Sequence, residues 1–261
     1  MKLGFTTYQL PQNLNFDESI RLAKDTGCAG MDFRTGNVYK HGVEVSLTGE
    51  ERAKMRRQLE DNYLELASIN SEFSFDAEDE QERRKSIEGA KQSCVLAHDF
   101  GSSLVRLFGN LIRTPDAHDT VKYVAKAIQE VCDFAQPLGV TCMIEMHGDF
   151  NYYGYALEVV KLVDRPNIGI LYNCDLRDLV GGSCLATFKR VEKYVKHIHC
   201  KDLDSGFPFV ELFEELYRIG YDGYLSAEIR ETSDPTRVLT LHNIAVRAML
   251  EIARRNVMLR A

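Results

Sequence analysis

No apolar run in this 261-residue chain comes near the roughly 20 residues needed to cross a bilayer, so the sequence offers no membrane-spanning helix. The opening stretch MKLGFTTYQLP meets Pro11 after a few apolar residues, too short for the core of a secretion signal. A cytoplasmic protein is therefore expected. Cysteine usage agrees. The seven cysteines are odd in number, none form a CxxC pair, and Cys142, Cys174 and Cys200 sit inside apolar segments, where a reduced thiol acts as a small hydrophobe. That pattern argues against a disulfide framework and against a zinc ribbon. Basic excess is missing too: 32 Lys and Arg against 39 Asp and Glu leave a formal charge of −7, which disfavours a nucleic-acid partner. No GxGxxG loop follows the first apolar run, which counts against a dinucleotide-binding open sheet.

What is present is an alternation of short β-rich runs with longer amphipathic ones. Strands are expected at KLGFTTY from Lys2, CAGMDFR from Cys28, LELASIN from Leu64, SLVRLFG from Ser103, VTCMIEM from Val140, IGILYNC from Ile168, VKHIHCK from Val195 and GYLSAEI from Gly223. Between them lie helical patterns, the clearest from Asp116 to Leu138, with Pro115 near its start, Val121, Val124, Ile128 and Val131 at helical spacing, and Gly139 just past its end. Eight βα units in about 260 residues match an α/β fold of the (β/α)8 TIM barrel type, read as one domain over 1–261.

Strands in such a barrel are buried on both faces, so polar residues recurring at every second position point into the barrel or its mouth. Four late strands show this at their C-terminal ends: Glu145 and His147, then Asn173 and Asp175, then His197, His199 and Lys201, then Ser226, Glu228 and Arg230. A lone carboxylate at a strand end ordinarily caps a helix or forms half of a salt bridge. Three carboxylates and an imidazole from four consecutive strands are better explained by one divalent metal ion, Mn²⁺, Mg²⁺, Co²⁺ or Zn²⁺, since no thiolate favours zinc. His197, one layer deeper than His199, reads as a hydrogen-bonded interior histidine, and Asp202 as a loop or capping residue. His147 fits a substrate contact or a residue behind the ligands, and Lys201 and Arg230 fit the substrate side of the mouth. Arg34 and Arg106 either bind an anionic or hydroxylated substrate or neutralise interior carboxylates. The aromatic loop FNYYGY, from Phe150, could wall a sugar pocket or pack between subunits, which leaves a homo-oligomer open.

IEMHG, YNCD, HIHCKD and GYDGYLSAEI, taken in order, resemble the recurring strand ends of the xylose isomerase-like TIM barrels, a family with sugar phosphate isomerases and epimerases, ketose 3-epimerases, inosose dehydratases and endonuclease IV. The resemblance implies metal binding by Glu145, Asp175, His199 and Glu228, with Glu145 and Glu228 also serving as the acid/base pair. A ketose flanked by two carboxylates can lose a proton to one and regain it from the other through an enediolate, which is isomerisation or epimerisation. The ketose 3-epimerase pattern adds Glu, His and Arg where this chain has Asn151, Asp178 and Ser205, a departure from that subgroup. Endonuclease IV needs more histidine ligands than remain, because His41, His98, His118 and His242 fall in helices or loops away from the strand ends. The expected function is a metal-dependent sugar or sugar phosphate isomerase or epimerase acting on a small sugar or polyol. The alternatives are an inosose-type dehydratase on the same site, in which loss of a β-hydroxyl follows proton abstraction, or a sugar-binding barrel without turnover.

Overall fold

The computed structural model describes residues 1–8, 10, 13–36 and 38–260. Eight parallel strands close into a barrel in chain order: β1 (Lys2–Thr6), β2 (Gly30–Arg34), β3 (Glu65–Ser74), β4 (Leu104–Phe108), β5 (Thr141–Glu145), β6 (Ile168–Asn173), β7 (Val195–Cys200) and β8 (Tyr224–Ala227). Closure is made by β1 against β8, with Gly4 opposite Ser226. Each strand is followed by a helix: α1 (Phe16–Thr26), α2 (Gly49–Asp61), α3 (Glu80–Asp99), α4 (Ala117–Ala135), α5 (Tyr153–Val163), α6 (Leu185–Val191), α7 (Phe209–Arg218) and α8 (Pro235–Arg260). The expected (β/α)8 barrel is the observed fold.

Local sequence accounts for the boundaries. Asn15 and Thr48 open α1 and α2 with capping boxes completed by Glu18 and Glu51, which satisfy backbone N–H groups that the first turn leaves free. The helix expected to run from Asp116 to Leu138 leaves α-geometry after Ala135 and tightens into a 3₁₀ turn at Gln136–Leu138. Pro137 has no N–H to continue the α-ladder, and Gly139 takes the left-handed φ of 69° that starts the chain toward β5. The third strand runs past its expected end at Asn70 to Ser74, with a register shift between Asn70 and Ser74 that lets Glu72 and Ser74 reach the mouth.

Apolar residues from the strands' outer faces and the helices' inner faces form one continuous core. All seven cysteines are free and buried, consistent with the absence of a disulfide framework. Among the described residues no helix is long and apolar enough to cross a membrane. The lumen is polar. Asn70 donates to Thr6 Oγ1 at 3.2 Å and Ser68 donates to Asn70 at 2.9 Å, while Asp32, Arg106, Glu145, His197, His199 and Ser226 are all buried. Alternating polar positions on strands shielded on both sides thus turn inward, where each needs a partner.

Candidate functional site

Glu145 ends β5, His199 sits near the end of β7, and Glu228 directly follows β8, so all three reach the C-terminal end of the barrel. His199 Nδ1 lies 3.7 Å from Glu145 Oε1 and 3.6 Å from Glu228 Oε2. One ligating atom from each of these three residues falls within 4.8 Å of the other two, which makes them a group able to hold a metal ion. Neither nitrogen of the buried His199 ring has a hydrogen-bond partner of acceptable geometry. An imidazole nitrogen facing two carboxylates without hydrogen-bonding either is suited to a cation placed among all three. Hard oxygens with one imidazole fit a divalent ion of the kind expected.

The side chains behind this group fix its charge. Asp32, on β2, accepts through Oδ2 from His197 Nε2 at 2.9 Å, and the same oxygen lies 3.4 Å from His199 Nε2. His197 is therefore the interior, hydrogen-bonded histidine expected, and Asp32 places a carboxylate oxygen beside the far nitrogen of the His199 ring without a hydrogen bond of good geometry. Asp32, His197 and His199 also form a second group with metal-ligand spacing. Burial works against the Asp32 charge, yet the neighbouring His197 and His199 hold its carboxyl below the usual range. Asp32 was not singled out from sequence; the available signal was its place in MDFR, two residues before Arg34 and on the same inward face.

Arg106, on β4, donates to Glu145 Oε2 at 2.8 Å, and Asn173, ending β6, donates to Oε1 at 3.0 Å. Burial would raise the Glu145 pKa, but Arg106 and His199 hold it well below the carboxylate range. Lys201 contacts Glu228 directly. Burial opposes the charges there too, while His199 and Lys201 keep the Glu228 pKa low and Glu228 raises that of Lys201. The two glutamates thus stand ionised, each beside its own cation. Burial also disfavours a charged His199, and Asp32, Glu145 and Glu228 together outweigh it, raising its pKa well above that of a free imidazole.

These groups open into a cavity of about 370 Å³ whose wall includes Arg34, Arg106, Glu145, His147, Lys201 and Glu228. That size suits a small ligand. His147 packs against Phe108 with ring centroids 5.0 Å apart and the planes tilted by 52°, and both line the cavity.

Three expected site residues sit differently. Asp175 is held by Arg177, which donates from Nη2 to Oδ2 at 2.8 Å and from Nε to Oδ1 at 3.0 Å, and it stands outside the group formed by Glu145, His199 and Glu228. Arg230 does not line the cavity; it is exposed and paired with Asp202 at 3.1 Å and Asp204 at 2.9 Å. Asp202 is thereby the loop residue expected. Arg106 lines the cavity but is spent on Glu145, the neutralising alternative. Of the aromatic loop, Tyr152 and Tyr153 line a separate hollow with Arg177 and Asp178, and Phe150 packs under Gly109, so the loop does not wall the central cavity.

No curated protein matches this chain. Solved structures share its fold at low identity. The structure of an L-ribulose 3-epimerase superposes with a TM-score of 0.83 and 17% identity, covering 100% of this chain and 98% of that one. A D-tagatose 3-epimerase-like protein gives 0.80 at 17% identity, covering 98% and 100%. A 3-keto-D-glucoside 4-epimerase from E. coli gives 0.78 at 16% identity, covering 95% and 99%. The sequence model of the xylose isomerase-like TIM barrels matches residues 20–249, most of the chain. By that match this chain belongs to the xylose isomerase-like TIM barrel family.

Proposed function

We propose that the protein is a divalent-metal-dependent isomerase or epimerase of a small sugar or sugar derivative, with Glu145 and Glu228 as the acid/base pair. The observation that carries this reading is the buried group of Glu145, His199 and Glu228, whose two carboxylates line the mouth cavity and whose imidazole nitrogen faces both without hydrogen-bonding either. The sugar epimerases that share the fold are consistent with it.

Glu145, His199 and Glu228 would hold the cation, while Asp175, bonded to Arg177, stands outside that group. When bound, such an ion supplies Lewis-acid polarisation of the substrate's carbonyl and hydroxyl oxygens. One ionised glutamate takes the proton from the carbon beside the carbonyl, breaking that C–H bond, becoming a carboxylic acid and leaving an enediolate. The other, having taken up a proton from solvent, gives it to the enediolate carbon to form the new C–H bond, and the first returns its proton to solvent. Lys201, in contact with Glu228, holds that carboxylate in place. Arg106 and Asn173 hold Glu145 in one orientation while it does its part.

The test is a panel of ketoses, aldoses and inososes incubated with the Mn²⁺-loaded protein in D₂O. Deuterium should enter one substrate at the carbon beside its carbonyl, and Glu145→Gln and Glu228→Gln should stop turnover. Exchange unaffected by both variants would refute the assignment. The appearance of an enone absorbance would instead indicate a dehydratase, for which Lys201 beside Glu228 is a suitable proton donor to a leaving hydroxyl.

A further inference from the structure

Three arginine and lysine side chains line the central cavity, and two are committed: Arg106 to Glu145 and Lys201 to Glu228. Arg34, at the end of β2, is the third. Its guanidinium makes no hydrogen bond or ion pair among the described residues, while its backbone N–H donates to Thr7 Oγ1 at 2.9 Å. Glu72 shares the cavity wall but forms no ion pair with it. The group is nonetheless placed, lying 4.4 Å from the Tyr8 ring centroid and 5.9 Å from that of Phe108.

A half-buried guanidinium stripped of part of its water and left without an anion is unfavourable. The Arg106 charge behind it adds repulsion. Stacking on Tyr8 limits its motion, so less entropy is lost when a ligand engages it. The planar fork of N–H donors matches the paired oxygens of a carboxylate or phosphate, whereas a neutral hydroxyl offers no charge to offset.

Building on the sugar-isomerase reading, we infer that the substrate carries an anionic group, a carboxylate or a phosphate, and that Arg34 binds it. The ketoses named in the structurally similar epimerases have no such group.

Calorimetric titration with D-galacturonate, D-ribulose 5-phosphate and neutral D-tagatose tests this, run with Mn²⁺ and again in EDTA so that anion binding to a metal is separated out. One of the two anions should bind at least about tenfold more tightly than tagatose in both conditions, the lower end of what a hydrogen bond to a charged group contributes. Whichever anion wins identifies the carboxylate or the phosphate source. Arg34→Met, which keeps a chain to lie on Tyr8, should reduce the anion-to-neutral ratio to below about threefold, and Arg34→Lys should restore part of it. Equal affinities in the wild type, no binding of either anion, or a ratio unchanged in Arg34→Met would overturn the inference. Loss of deuterium exchange in the function assay would leave this ratio untouched, so the two claims fail separately.

Discussion

Removing the guanidinium of Arg106 strands a buried carboxylate. Both side chains of the Arg106–Glu145 pair are 3% exposed, and the bond between them is 2.8 Å long. In Arg106→Met the apolar volume is largely kept, while Glu145 loses its main counter-charge and retains only Asn173 at 3.0 Å and His199 at 3.7 Å. Breaking a buried ion pair from one side typically costs about 3–5 kcal/mol. The two remaining neighbours place this case at the lower end, about 3 kcal/mol, or a fall in Tm of about 6–12 °C for a chain of this size. Urea unfolding in EDTA, followed by circular dichroism at neutral pH, measures the loss. The double variant Arg106→Met with Glu145→Gln should recover much of it, because no uncompensated charge remains in the lumen. A single-variant loss under about 1 kcal/mol, or a double variant as unstable as the single, would show that Glu145 does not depend on Arg106 and would refute the electrostatic account.

Other outcomes follow from the same geometry. Mn²⁺ should raise the Tm of the wild type and not that of His199→Ala, while Asp175→Asn should keep most of the shift if Arg177 retains that carboxylate in the loaded protein; differential scanning fluorimetry separates the three. Glu145→Gln and Glu228→Gln should each lower turnover by at least about a hundredfold, the usual contribution of a positioned acid or base, with unchanged circular dichroism; near wild-type rates in both would sink the two-carboxylate mechanism. His41 is buried between Thr7 and Phe33 with its pKa pushed down to about 4 by burial, so the unfolded chain takes up a proton there before the folded one does. Stability should therefore be present above about pH 6.5 and fall by an amount on the order of 3 kcal/mol toward pH 4, and His41→Asn should flatten that part of the pH profile.

Much of the architecture was legible because its signals are local. The count of βα units followed from hydrophobic period and turn chemistry, and the polar alternation at Glu145 and His147 and at His197, His199 and Lys201 marked inward-facing strand ends. Depth along one strand follows from spacing, so His197 was recognisable as the interior histidine and His199 as the one nearer the mouth. Boundaries were less legible: the extra length of β3 depends on its pairing with β4, which shifts register before Ser74.

Partnership within the site was decided by the tertiary structure. Period specifies the face of a strand on which a side chain stands, not which group from a remote strand meets it across the lumen. Asp32 and His197 are 165 residues apart and share a 2.9 Å bond only because the barrel closes. Arg34 and Arg106 look alike in sequence, two inward arginines on strands β2 and β4, yet closure gives Arg106 a carboxylate and leaves Arg34 facing the cavity with none. Asp175 and Arg230, each at the end of a strand that supplies the mouth, turn to Arg177 and to Asp202 and Asp204, because a flexible side chain past the last strand residue goes to the nearest opposite charge. The sequence by itself determined a barrel with carboxylates and imidazoles at its C-terminal mouth; which of them share one centre, and which cation is left for a ligand, was decided when eight strands were bent into a closed ring.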